Sequence, residues 1–461
     1  MFASDPIPGK LLIKLSAGTS IENIVSQIPY RVIKYIYRST SFKTSEPEVE
    51  KTYMIKFSET EDIKAVAEAV KKISGIKWVS LDYVVTPIPT KPNNIKAKRI
   101  LNGTDYPVEA FGCYLLETEH RYIRYIPVQE QILVAVIDTG IKYTHKDLKD
   151  AIYQNPGETA GSGIDADQNG FVDDYMGWDF SAYPDTGGNN DPSPFTRHAT
   201  EVAGIIGGKK DDQFNICGIN SDCKILNLKF GASLLDASYA VRYAVDMGAK
   251  IINCSWLSTP STTFTQEAFA YAIQQGCIVV VAAGNNGASV SSEGFYPQNY
   301  PDMTLVTSHT GNEQGVGVRR RYGGANYGPE VSFAAYGVDV YTTTTDETAP
   351  FLDTGTSLAA PIVTGILSRI WANNPMLTRQ QVLDKAIQYT VRLDSGTGYG
   401  RIDSEALAKS YVTIQTKYVA LNTGGKKGTL EVDYVTGGGS TKRFAEYFYF
   451  GGRKYSVHRE M

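Results

Sequence analysis

The first part of the chain alternates between two hydrophobic periods, that of a strand and that of a helix. Residues 11–15, 31–37, 52–57 and 77–85 carry the apolar and β-branched runs of strands. Residues 21–28 read as a short helix, and Ile63, Val66, Ala67, Val70 and Ile73 fall at helical spacing before Gly75 ends the pattern. The order βαββαβ predicts a small α+β domain of ferredoxin-like type over residues 6–87. Beyond it, Thr86-Pro-Ile-Pro-Thr-Lys-Pro-Asn-Asn sets three prolines among polar residues and predicts a linker, with 88–130 as linker and lead-in.

From residue 131 to 410 the texture changes to apolar β-type runs alternating with helical stretches. Residues 132–137, 224–229, 250–255 and 277–283 read as buried strands, and a helical pattern covers 202–207. Helices are predicted over 237–247, closed by Gly248, and 266–275, closed by Gly276. A capping box of Thr378 and Gln381 precedes another over 382–389. The pattern is that of a doubly wound α/β domain with a parallel sheet covered on both faces. After residue 410, stretches 411–421, 428–434 and 443–450 look like strands between Gly-rich turns, so 411–461 is expected to be a β-rich extension. It is open to reading as edge strands on the core, an attachment or sorting element, or a second prosegment.

Charge and composition mainly exclude. Lys+Arg 45 against Asp+Glu 49, without long blocks of one sign, argues against nucleic acid as a partner. The longest apolar runs fall far short of the roughly 18 residues of a membrane span. Five cysteines (Cys113, Cys217, Cys223, Cys254, Cys277) are too few and too odd a set for a disulfide framework. Cys217 and Cys223 either pair across a loop or are unpaired core residues. Residues 1–6 have neither a basic n-region nor an apolar h-region, so the protein is secreted if a signal was removed from this sequence and otherwise made inside the cell.

Candidate chemistry gathers at three places. Asp138 ends the strand Val134-Ala-Val-Ile-Asp-Thr-Gly, where an open parallel sheet presents its reactive groups. His198 opens a helix of small residues, Arg197-His-Ala-Thr-Glu-Val-Ala-Gly. Ser357 lies where Asp353-Thr-Gly-Thr-Ser-Leu-Ala-Ala-Pro runs into an apolar helix, with Pro361 expected in a first turn that needs no N–H there. A serine so placed has backbone N–H groups and a positive dipole end beside it, which suits an oxygen that becomes anionic in acyl transfer.

In the order Asp, His, Ser these segments resemble the subtilase family of subtilisin-like serine proteases over residues 131–408. A fourth motif, Ala282-Ala-Gly-Asn-Asn-Gly, also matches. The resemblance implies a serine endopeptidase acting on proteins or peptides through an acyl-enzyme, with no organic cofactor. Ser357 would be nucleophile, His198 general base, Asp138 the group orienting it and Asn285 the side-chain oxyanion donor. A peptide ligase or macrocyclase using the same acyl-enzyme and a non-catalytic binding scaffold are the alternatives. In size, element order and location residues 6–87 also resemble the propeptide of many subtilases, which implies an intramolecular inhibitor of a zymogen; a regulatory or binding module of the same fold is the alternative.

Departures from the family pattern are Ala199 for the usual Gly, Glu201 for a His and Leu358 for a Met. Glu201 is expected to bring a carboxylate near the cleft. The substrate-lining strand reads Ser255-Trp-Leu-Ser, so Trp256, Leu257 and Ser258 are expected to make it bulkier; Ser255, Trp256, Leu257, Gly284 and Phe295 are the expected substrate-binding residues, with Phe295 narrowing the pocket toward small or slender side chains. Separately, Asp165, Asp167, Asn169 and Asp173 occupy positions one, three, five and nine of a pattern that resembles a Ca²⁺ loop with Gly170 at six. Met176 stands at the twelfth position, so a further ligand is expected from Asp174 or elsewhere.

Overall fold

A computed structural model describes residues 6–37, 51–83, 85–87, 99–101, 104–106, 114–115, 120–181, 183–209, 216–231, 233–310, 321–346, 351–423, 426–437, 440–450 and 453–460. Much of the predicted linker therefore lies outside the described residues.

The first domain has the predicted βαββαβ order. Strand Pro6–Leu15 lies between Thr52–Lys56 and Ile76–Tyr83, with Lys34–Tyr37 outside Thr52–Lys56, all antiparallel. Helices Ile21–Gln27 and Ile63–Val70 cover one face, capped by Ser20 and Asp62. They bury Ile24, Val66 and Val70 against Leu11, Ile13 and Ile55.

The second domain is built on a parallel seven-stranded sheet in the order Trp178–Asp179, Lys224–Lys229, Leu133–Asp138, Ile251–Cys254, Ile278–Ala282, Thr304–His309, Val331–Tyr336. Its strands are apolar on both faces because helices cover both. Val134, Val136 and Val280 turn toward helices His198–Gly207 and Thr356–Asn373. Their alternates Ala135, Ile137 and Val281 turn toward Leu234–Asp246 and Thr263–Gln274. Leu133–Asp138 has later strands on both sides, so Asp138 stands at the switch point, where such sheets open a crevice.

The first domain docks on the second of these faces, where Leu12, Met54 and Val85 join the same apolar cluster. The Asp82 carboxylate, 1% exposed, accepts from the Ser233 hydroxyl at 2.9 and 2.8 Å and from Leu235 N at 3.2 Å, extending the Ser233 cap of helix Leu234–Asp246. Trp78 Nε1 donates to Glu267 Oε1 at 2.9 Å, and Lys14 Nζ lies 3.4 Å from the other oxygen of that carboxylate.

The C-terminal strands Thr413–Thr423, Lys426–Gly437, Ser440–Phe450 and Arg453–Glu460 form their own antiparallel sheet, not edges of the central one. The strand over 453–460 was not anticipated. Arg121 reaches Glu431 at 3.2 Å and Tyr125 donates to Asp433 at 2.8 Å, anchoring this sheet to the lead-in. Cys217 is disulfide-bonded to a partner outside the described residues, whereas Cys223, Cys254 and Cys277 form no disulfide. The Cys217–Cys223 pairing is thereby excluded, as is an unpaired Cys217. No helix among the described residues is long and apolar enough to cross a membrane.

Candidate active site

Three elements converge at the carboxyl ends of the central strands. Asp138 closes its strand, 1% exposed, and its Oδ1 accepts from Thr139 N at 2.7 Å. His198 begins the helix His198–Gly207, every residue of which is buried. Small residues permit that burial: a Cβ at Gly204 would lie 2.2 Å from Thr343 Oγ1. The imidazole Nδ1 meets Asp138 Oδ1 at 2.9 Å and Oδ2 at 3.0 Å. Burial disfavours the imidazolium, but Asp138, by charge and hydrogen bond, and then Glu201 and Asp353 outweigh it and raise the His198 pKa above its ordinary value.

Ser357 is the second residue of helix Thr356–Asn373 and is fully buried. Its Oγ and His198 Nε2 are both buried and have no hydrogen-bond partner among the described residues. Pro361 is the sixth residue of this helix, so its missing N–H does remove a bond, the one that Ser357 C=O would accept. The Ser255 hydroxyl takes that place, donating to Ser357 O at 3.1 Å.

Ser255 is therefore a buried support of the serine turn. Trp256 likewise turns into the core, with no exposure, and donates from Nε1 to Ile137 O at 3.0 Å. Side chains in a strand alternate between faces, and Trp256 faces the rings of Phe230 and Phe269, away from the serine helix that Ser255 meets. Leu257 is half-buried, and the strand Trp256–Ser258 offers its backbone edge, which pairs antiparallel with Val85–Pro87. The register is Ser258 to Val85, Leu257 to Thr86 and Trp256 to Pro87, so the first domain's chain advances toward Ser255. Phe295 is buried next to Tyr296, whose backbone exchanges hydrogen bonds with that of Ser258.

Asn285 Oδ1 accepts from Thr356 N at 2.9 Å and Thr356 Oγ1 at 3.0 Å, which orients its amide plane. Thr356 Oγ1 also accepts from Gly284 N at 3.0 Å. Gly284 has φ +106, and a Cβ there would lie 2.4 Å from Asn326 Nδ2. Asn326 and Gln298 were missed in the sequence. Asn326 Nδ2 donates to Ala283 O at 3.0 Å while its Oδ1 accepts from Asn286 N at 2.9 Å. Gln298 Nε2 donates to Trp256 O and Ala282 O, both at 2.9 Å. Neither stands in a recognisable motif; only burial reveals them.

Glu201 does bring a carboxylate within electrostatic reach of His198, but as a buried group and not one exposed in the cleft. It is buried without exposure, and its Oε1 accepts from Arg197 Nε at 2.5 Å. Ala199 and Leu358 are fully buried in the apolar cluster behind the site.

The acidic loop is only partly as expected. Ligand oxygens of Asp165, Asp167 and Glu158 lie within 4.8 Å of one another. Glu158 Oε1 accepts from Ala166 N and Asp167 N, at 2.8 and 3.2 Å, while its Oε2 is buried without a hydrogen-bond partner among the described residues. An orphaned carboxylate oxygen beside two more carboxylates fits a hard divalent cation. Asp173 stands apart, held by Ser162 N at 2.9 Å and Gly163 N at 2.6 Å. Asn169 serves as a brace, donating to Asp167 Oδ2 at 3.2 Å and Asp174 Oδ2 at 2.8 Å. Asp174 is engaged with Asn155 and Tyr243.

A buried carboxylate–imidazole pair and a buried serine at a helix start, carried on a doubly wound sheet, are the residue types of a serine-hydrolase site. The subtilase family model matches residues 129–406, and the chain belongs to that family of serine proteases. It is 33% identical over 283 residues to the thermophilic serine proteinase of Bacillus sp. (strain AK1), covering 59% of this chain and 60% of that protein. It is 30% identical over 285 residues to the halolysin-like extracellular serine protease Nep of Natrialba magadii, covering 60% and 47%. With fervidolysin of Fervidobacterium pennivorans the identity is 27% over 448 residues, 86% of this chain and 58% of that protein. The chain thus spans 47% to 60% of the length of these relatives. The crystal structure of fervidolysin, described as a keratinolytic enzyme related to subtilisin, is similar in fold, with TM-score 0.64 at 22% identity over 100% of this chain and 70% of that one.

Proposed function

We propose that this chain is a serine endopeptidase that hydrolyses peptide bonds through an acyl-enzyme and is made as a zymogen. The observation that carries the reading is the doubly hydrogen-bonded Asp138–His198 pair, with His198 Nε2 and Ser357 Oγ both buried and neither hydrogen-bonded among the described residues. In the reaction Ser357 Oγ attacks the substrate carbonyl and His198 Nε2 takes the proton, then returns it to the leaving amine. Asp138 holds the proton-bearing Nδ1 and stabilises the imidazolium. Asn285 and the Ser357 N–H stabilise the tetrahedral oxyanion. The backbone edge of Trp256–Ser258 binds substrate as an added strand.

The pairing of Val85–Pro87 with that same edge supports the inhibitor role of the first domain, which would occupy the strand position a substrate needs. The extracellular relative supports secretion. The Glu158, Asp165 and Asp167 oxygens would hold a structural Ca²⁺ that braces the loop and takes no part in the reaction. Ser357→Ala is the test of the enzyme reading. Wild-type protein should label with a fluorophosphonate, cleave peptides to free carboxylates and shed its first domain by a cut between Tyr83 and Tyr106. The variant should do none of these. Labelling that survives Ser357→Ala, or ligated rather than hydrolysed products, would overturn it.

A further inference from the structure

Arg197, immediately before His198, sends Nε to Glu201 Oε1 at 2.5 Å and Nη2 to Asp353 Oδ2 at 3.1 Å. The two carboxylates are almost without exposure, 1% and 0%, while the arginine side chain is 38% exposed. Glu201 lies one helical turn beyond His198 on the same helix, and Asp353 lies four residues before Ser357. One guanidinium thus ties the element bearing the imidazole to the turn bearing the serine. The guanidinium carbon lies over the Phe351 ring, 4.7 Å from its centroid.

We propose that Arg197, Glu201 and Asp353 form a buried ion clamp that positions the base helix against the nucleophile turn. The clamp rests on the protease reading above and makes Arg197 and Glu201 positioning residues for that reaction. Two carboxylates share one guanidinium, and Glu201 Oε2 has no hydrogen bond among the described residues. A planar fork can serve both acids at once, which an ammonium cannot do in the same geometry.

The charged groups facing Glu201 are Arg197 and His198 on its own helix and Asp353 from the approach to Ser357, with Asp138 beyond the imidazole. Among its described residues the neighbouring segment contributes hydroxyls: Thr342 Oγ1 donates to Glu201 O and Thr343 Oγ1 to Thr200 O, both at 2.7 Å. The first turns of the serine helix, Thr356 to Val363, carry no charge. Burial, joined by Asp353 and opposed by His198 and Arg197, pushes the Glu201 carboxyl up to about 7. Glu201 and His198 therefore titrate as a coupled pair. Ionised Glu201 stabilises the imidazolium and holds the acid limb of activity at higher pH.

The test is peptide hydrolysis and fluorophosphonate labelling by the full chain carrying Glu201→Gln, Arg197→Lys or Arg197→Gln. Glu201→Gln, nearly isosteric, should move the acid limb of kcat/KM to lower pH. Arg197→Gln should lower kcat on the order of tenfold or more with KM within about twofold, because misplaced groups lose rate rather than affinity. Arg197→Lys should recover part of the loss. The labelling rate constant is read per reactive site, so partial unfolding of a variant lowers its amplitude and not its rate. Wild-type protein that does not label would sink the protease reading. Wild-type protein that labels, with the acid limb unmoved in Glu201→Gln and the rate unchanged in Arg197→Gln, would sink the clamp alone.

Discussion

Docking of the first domain should weaken as pH rises through about 6, and Asp82 is the reason. Burial pushes its carboxyl from an ordinary 3.8 to about 6, with the hydrogen bonds from Ser233 and Leu235 and the charge of Lys10 offsetting only part of that cost. A carboxyl whose pKa is raised in the docked state contributes stability fully below 3.8 and loses it as pH climbs through 6. At about 1.36 kcal/mol per unit, the whole window is worth on the order of 3 kcal/mol, of which about 1.3 kcal/mol falls between pH 5 and 7.5. Asp82→Asn keeps an acceptor and the shape but carries no charge, so it mimics the protonated acid at every pH. In a Ser357→Ala background, where the first domain should stay attached, urea titrations would compare the parent with Asp82→Asn at both pH values. Trp78, in contact with Phe264 and Glu267 of the second domain, reports docking by fluorescence. The Asp82→Asn variant should gain about 1.3 kcal/mol over the parent between pH 5 and 7.5, roughly tenfold in the docking equilibrium. A gap that stays constant, or a parent that docks more tightly at the higher pH, would refute the reasoning.

Asn285→Ala should lower kcat with little change in KM, by a factor on the order of 10²–10³, the size of loss known for removing such a donor in subtilisin; steady-state kinetics decide, and a change in KM alone would reject the assignment. A chelator should lower the melting temperature, and Glu158→Gln with Asp165→Asn should abolish that sensitivity; ion at 100 times its dissociation constant is worth about 2.7 kcal/mol, so unchanged melting curves would reject the cation. Ser255→Ala should cost about 1–3 kcal/mol in denaturant unfolding, because it leaves Ser357 C=O buried without a donor. An altered cleavage preference with unchanged stability would restore Ser255 to the pocket wall.

Period and capping made the scaffold legible. The apolar runs ending at Asp138 and Ala282, the helix closed after Asp246 and the Thr378–Gln381 capping box stand within a few residues of their predicted places. Strand Thr304–His309 was missed because buried Thr307, Ser308 and His309 break its apolar run, and Val331–Tyr336 because Ala and Ser dilute it. The same difficulty hid the supports of the site. Trp256 and Ser255 stand in a motif that lines substrate, yet which way a strand side chain points depends on the pleat and on the neighbouring element, and here Ser255 meets the serine helix while Trp256 enters the apolar cluster of the other face. Ser255 is needed there because Pro361, read as harmless, removes the N–H that Ser357 C=O would otherwise meet. Glu158 was invisible in the acidic loop since it comes from before it and joins Asp165 and Asp167 only through folding. Glu201 shows the common cause: at the surface its carboxylate would need no partner, and only its burial, beside that of Asp353, creates the demand that Arg197 answers for both. Sequence pattern reports where apolar surface must go; the polar groups that set the site's geometry are determined by which donors and acceptors burial leaves unpaired.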